Sequence, residues 1–82
     1  MKALVYVTLK KDVLDPQGKA IQRACGSLGY PQVTGVRQGK LFELALADGT
    51  ERRTAETVVR ELSEKLLSNP VIEDFRVVEL VP

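Results

Sequence analysis

The sequence predicts an α+β two-layer sandwich: an antiparallel sheet with two helices on one face, in the order strand, helix, strand or hairpin, helix, strand, related to the ferredoxin-like pattern. Three observations predict it. Apolar runs of extended character occupy residues 3–9, 33–47 and 71–81. Between them, residues 16–28 and 51–68 repeat their apolar side chains at helical spacing. At 82 residues the chain has length for one modest core, hence one domain spanning residues 1–82.

In the first run Ala3, Val5, Val7 and Leu9 alternate with Leu4, Tyr6 and Thr8, so both sets are largely apolar. That pattern suits a strand buried at least partly on both faces. The following "VLDPQGKA" (residues 13–20) opens a helix. Asp15 can accept from the free N–H groups of the first turn, and Pro16 at the first helical position gives up no useful donor. Gly18 is costly there, by roughly 0.5–1 kcal/mol relative to alanine, which implies that something approaches its backbone closely. Ala20, Ile21, Ala24, Cys25 and Leu28 form the apolar stripe, and Gly29 followed by Pro31 ends the helix.

The stretch "VTGVRQGKLFELALA" (residues 33–47) fits one long bent strand or a hairpin turning at Gln38-Gly39 that pairs Val33 with Leu44. Both readings stand on sequence. "ADGTE" (residues 47–51) is a clearer turn. The second helix, residues 51–68, places Ala55, Val58, Val59, Leu62, Leu66 and Leu67 on its core side. Arg52 with Glu56, Glu56 with Arg60 and Glu61 with Lys65 stand four apart outside. Asn69-Pro70 stops it, and "VIEDFRVVELV" is the last strand.

Twelve bases and eleven acids give a net charge of +1, interspersed along the chain, with no footprint for nucleic acid or an anionic membrane. Tyr6, Tyr30, Phe42 and Phe75 are too scattered for a base-stacking platform. A lone cysteine, Cys25, cannot close an intrachain disulfide, and its place on the helix stripe suits a small core residue. No run approaches the roughly 20 apolar residues of a membrane span. A soluble, cytoplasmic protein is expected.

Chemistry is sparse. The chain has no histidine, no clustered metal ligands, and neither a GxxxxGK[ST] nor a GxGxxG loop. Its acids, Glu73 and Asp74 included, read as solvated surface. What stands out is surplus apolar surface: two helices cover one sheet face, while the strands are apolar on both. Self-association is the expected consequence.

Three longer matches go further. "VYVTLKKDVLDPQGKAIQRA", "VTGVRQGKLFEL" and "EKLLSNPVIEDFRV" resemble the PurS subunit family of phosphoribosylformylglycinamidine synthase, and the resemblance covers nearly the whole chain. It implies a small non-catalytic subunit in purine biosynthesis that associates with itself. It also implies two partners: a glutaminase subunit that releases ammonia, and a large synthase subunit that converts formylglycinamide ribonucleotide to formylglycinamidine ribonucleotide. ATP and glutamine would be used by those partners and no cofactor bound by this chain. On this reading Asp15, Gln17, Gly18, Arg37, Gly39 and Lys40 are the candidate partner contacts, with no catalytic residue and no metal ligand. The alternative is a stand-alone small-molecule-sensing regulatory domain on a similar frame. An acylphosphatase-like enzyme fits poorly, because "KKDVLDPQG" lacks an arginine-rich phosphate cradle.

Overall fold

The apolar alternation of the first run produces the central strand of the sheet. In the computed structural model, which describes residues 1–81, β1 (Lys2–Leu9) lies between β2 (Gly39–Ala45) and β3 (Glu73–Val81), antiparallel to both. Ala3, Val5 and Val7 are fully buried on one face. The partners that share this face are Phe42 and Leu44 from β2, and Phe75, Val77 and Leu80 from β3. A β-bulge interrupts the β1–β3 ladder at Leu4/Val5, where Val5 pairs with Val77 and Leu4 with Glu79, leaving Val78 as the extra residue.

One helix closes this face. α2 (Arg52–Leu62) runs on into a π-helical turn, Ser63–Leu67, and buries Ala55, Val59 and Ser63, with Leu67 packed beside them. These four stand four residues apart, which puts Val58, Leu62 and Leu66 off the core. They are 38%, 37% and 73% exposed, against the expectation that all three line it. Ser63 is accommodated because its hydroxyl donates to the Val59 carbonyl (2.7 Å). The Ser68 hydroxyl and N–H both donate to the Ser63 carbonyl (2.7 and 3.0 Å). Of the three expected helix ion pairs, Arg52–Glu56 (3.4 Å) and Glu61–Lys65 (4.0 Å) form. No side chain caps α2; Glu51 precedes it in extended conformation. The expected turn is present, with Gly49 at φ 81° and the Thr50 N–H donating to the Ala47 carbonyl.

The first helix departs from the expected sandwich. α1 (Pro16–Ser27) begins and ends as its sequence demands: Asp15 accepts from the Gly18 N–H, Pro16 occupies the first position, and Gly29 turns at φ 92°. The Gly29 and Tyr30 N–H groups then close on the Gly26 and Cys25 carbonyls, a Schellman ending. Yet α1 has almost no contact with the sheet, and Gly18 is its one buried residue. Ile21 and Leu28 are 44% and 74% exposed, and Ala20 and Ala24 are exposed too. A stripe holding two alanines and a cysteine offers little area to bury, so packing it on the sheet would yield little.

Residues 30–38 then run back beside α1 without joining a strand, tied where the Gln22 amide donates to the Thr34 carbonyl (2.9 Å). The stretch 33–47 is therefore neither the long strand nor the hairpin: its second half alone is β2, and Leu44 pairs with Ala3. Residues 16–38 form an arm beyond the sheet and α2. The chain measures 50 × 26 × 13 Å with a radius of gyration of 16.2 Å, where a compact chain of this length has about 12 Å.

Candidate functional site

The six residues singled out from sequence meet at the root of the arm. The two carboxylate oxygens of Asp15 serve different chain segments: Oδ1 accepts from the Gly18 N–H (2.9 Å) and Oδ2 from the Gln38 N–H (2.7 Å). The helix start is thereby joined to the residue that leads into β2. These two hydrogen bonds, that from Gln38 first, hold the Asp15 carboxyl below its ordinary value, and the Arg37 charge adds to them against the opposing effect of burial. Asp15 is 5% exposed.

Arg37 fastens the other side. Its guanidinium donates to the carbonyls of Lys10 (2.8 Å), Leu9 (3.2 Å) and Val13 (3.3 Å), drawing together the loop between β1 and α1. A planar fork of donors suits this task, since one side chain reaches three carbonyls, that of Lys10 shared with the Val13 N–H. Gly18 lies beneath: a Cβ there would run into the Val36 carbonyl oxygen and the Asp15 carboxylate. The close approach inferred from sequence is real, but the chain that makes it is this one's own. Gly18 is buried and touches no outside surface. Gly39 is similarly crowded, with Thr8 and the Val7 carbonyl where a Cβ would stand.

Gln17 and Lys40 are exposed. With Asp15, Gly39 and Glu73 they line an open cleft of about 280 Å³ between the arm root and the sheet end. Glu73, read from sequence as solvated, has a side chain only 13% exposed. It accepts from the Asn69 N–H (2.7 Å) and lies 3.8 Å from the Lys40 ammonium. The neighbouring Asp74 is the exposed one, paired with Lys10 at 2.6 Å. The signal for Glu73 was its place in the strand alternation, in phase with the core residues Phe75 and Val77.

Two apolar surfaces remain open. Leu41, Val78 and Val81 are 60%, 49% and 37% exposed in the strands, with Leu4 and Tyr6 half-buried on the sheet face away from α2. On the arm, Ile21, Leu28, Tyr30 and Val33 are all exposed. Charge interspersed along the chain is partitioned in space. Residues 16–38 hold Lys19, Arg23 and Arg37 and no acid, while the remainder carries nine bases against eleven acids. The arm is thus basic and apolar, the body acidic. Among the described residues there is no group of three metal-ligating side chains and no helix long and apolar enough to cross a membrane.

A family model described as PurS, phosphoribosylformylglycinamidine (FGAM) synthase, matches residues 2–80. The chain belongs to the PurS family. It is a PurS subunit of FGAM synthase, a ligase complex of purine biosynthesis, and the sensing-domain alternative is not favoured. The PurS subunit of Bacillus subtilis is 49% identical over 75 residues, covering 92% of this chain and 87% of that one. The solved PurS structure of Methanocaldococcus jannaschii has a TM-score of 0.84 at 36% identity, covering 99% of this chain and 98% of that one. A chain in the structure of PurLQS from Thermotoga maritima has a TM-score of 0.73 at 26% identity, covering 98% and 99%.

Proposed function

We propose that this chain is the small non-catalytic piece of the synthase, self-associated, that joins a glutaminase subunit to the large ATP-dependent subunit. The observation that carries this reading is the arm: a basic, apolar finger with almost no cover from its own body. A helix of 12 residues is marginal in water by itself, and α1 holds two glycines, so its order calls for a surface laid against it. An acidic body on a second copy complements that arm in charge, which supports self-association; the open sheet face offers a further surface to the larger subunits. The likeness to a chain of PurLQS supports an assembly of this kind.

In this reading the glutaminase releases ammonia, and the large subunit uses ATP to turn formylglycinamide ribonucleotide into formylglycinamidine ribonucleotide. This chain binds no cofactor and works in the cytoplasm beside its partners. Co-purification with the host's glutaminase and synthase subunits tests it, together with activity measured on glutamine and on ammonia. Glutamine-dependent turnover should require this chain, and ammonia-dependent turnover of the large subunit should not. Full glutamine-dependent turnover without the chain would overturn the reading. Light scattering tests self-association: a monomer at all micromolar concentrations would remove it.

A further inference from the structure

The arm is connected to the body by two covalent strands, residues 10–15 and 36–39, and by little else, since α1 has almost no contact with sheet or α2. Its direction therefore depends on the hydrogen bonds at its root. Asp15 ties the helix start to Gln38, and Arg37 ties the returning segment to the carbonyls of Leu9, Lys10 and Val13. Asp15 stands on the outgoing segment and Arg37 on the returning one, and each bonds across to the other segment. Gly18 lets the two segments cross at contact distance, which a Cβ would prevent.

We propose that Asp15 and Arg37 are positioning residues for assembly: together they hold the arm in one direction relative to the sheet, so that an associating subunit meets it already aimed. This rests on the reading of the arm as an interface. Neither side chain needs to touch a partner. Asp15 is buried, and the guanidinium of Arg37 is spent on backbone carbonyls of its own chain. The physical effect is on population. If the arm samples many directions, association draws on the aimed fraction alone, and apparent affinity falls by that fraction while the assembled complex is unchanged.

The test uses Asp15→Asn and Arg37→Gln. An asparagine cannot accept from both the Gly18 and Gln38 N–H groups without turning its amide donor toward one of them, and a glutamine amide has two donors for three carbonyls. For distances, spin labels go on a chain with Cys25→Ser, Gly26→Cys and Asp48→Cys, diluted with unlabelled chain; Gly26 has open space where a Cβ would stand. The unmodified root should give one narrow arm-to-body distance distribution, and both variants a broad one. In the reconstituted synthase, the concentration of chain giving half-maximal glutamine-dependent activity should rise about tenfold for each variant. The rate at saturation should stay within about twofold.

Distances that stay narrow in both variants overturn the proposal, and so do broad distances with unchanged half-saturation. A lowered rate at saturation with unchanged half-saturation also overturns it, because that is the mark of a contact made in the working complex. Should Asp15→Asn fail to fold, Arg37→Gln, which leaves the helix cap intact, decides alone. If the unmodified chain supports no glutamine-dependent activity, the bridging reading fails, and the distance measurement still decides whether the clasp holds the arm.

Discussion

α2 and α1 are helices of similar length, 11 and 12 residues, placed at opposite ends of the range of support a helix can have. α2 has no side-chain cap at its start, yet it buries Ala55 and Val59, and the π-helical turn that continues it buries Ser63. α1 has a capped start and a Schellman ending, and buries only a glycine. Tertiary packing holds the first and local chemistry the second. Tertiary packing is worth more, since a cap contributes about 1 kcal/mol where burying a single valine contributes about 1.5–3. The body is thus the better supported region, and the arm is an extension tied to it at its root. A subunit that works by joining others gains from this division: the body specifies one fold, and the arm is left unspent for contact.

An aspartate placed in each helix gives the largest contrast. Val59→Asp places a carboxylate in a fully buried site with no partner and should unfold the chain. The cost of several kcal/mol is of the order of the whole stability of a small domain. Ile21→Asp, at a site 44% exposed, should change the stability of the isolated chain by no more than about 0.5 kcal/mol. It should also shift light scattering toward monomer. Urea titrations of both variants check this, and an Ile21→Asp chain as unstable as Val59→Asp would place α1 in the better supported region after all.

Next in size is Gly18→Ala, which attacks the junction rather than either region. The new methyl meets the Val36 carbonyl oxygen and the Asp15 carboxylate, so backbone must move, at a cost of about 1–3 kcal/mol. Hydrogen exchange should locate the damage: amides of residues 16–38 lose protection, while those of β1 and β3 keep theirs. Equal loss everywhere would mean that arm and body unfold together.

The division between the regions also marks what could be read in the sequence. Much that is governed by neighbours along the chain was legible: the two-faced β1, the Asp15-Pro16 start, the Gly29 ending, the turn at Gly49. What failed were expectations that needed a third dimension. Val58, Leu62 and Leu66 match a helical stripe as well as Ala55, Val59 and Leu67 do, so hydrophobicity put all six on the core side and left Ser63 out. The buried set includes a serine whose hydroxyl is satisfied by Val59, a bond that no periodicity announces. Likewise Gln38 and Arg37 reach partners 23 to 28 positions away, through backbone groups that every residue possesses. The six candidate partner contacts lie in one neighbourhood that only the folded chain brings together, and Gly18 proved internal because the approaching backbone came from residue 36 of the same chain.

Acid should separate the regions as well. The Asp15 carboxyl titrates below its ordinary value because two backbone N–H groups bond its ionised form, the Gln38 bond foremost. A depressed folded-state pKa stabilises the clasp fully above the unfolded value, about 3.9, and that stability is lost as pH falls through the folded value. Protection of amides 16–38 should therefore persist through pH 5 and fade below the ordinary carboxylate range, ahead of the β1 amides. In Asp15→Asn this acid step should vanish. A step of the same size surviving in the variant would assign it to other carboxylates.

The smallest effect is expected from Gly26→Ala, and it sharpens the comparison most. Gly26 lies in the last turn of α1, with nothing within 4 Å of where a Cβ would stand. Alanine there should favour the helix by about 0.5–1 kcal/mol through lower backbone entropy in the unfolded arm. In a cooperative domain the whole gain would appear in the global melting temperature. Here, with α1 outside the core, a monomeric chain should show more helicity by circular dichroism and slower exchange at residues 20–28, with its melting temperature unmoved. Under associating conditions two results are distinguishable. If the Gly26 side of α1 stays open, the gain passes into the association constant as a few-fold increase, because less order remains to be imposed on binding. If a second chain packs against that side, the added methyl meets it and association weakens although the helix itself is stronger. The first outcome leaves Ile21 and Leu28 as the covered face of the arm, and the second moves the contact round to Gly26; a higher melting temperature in the monomer would contradict the division between arm and body altogether.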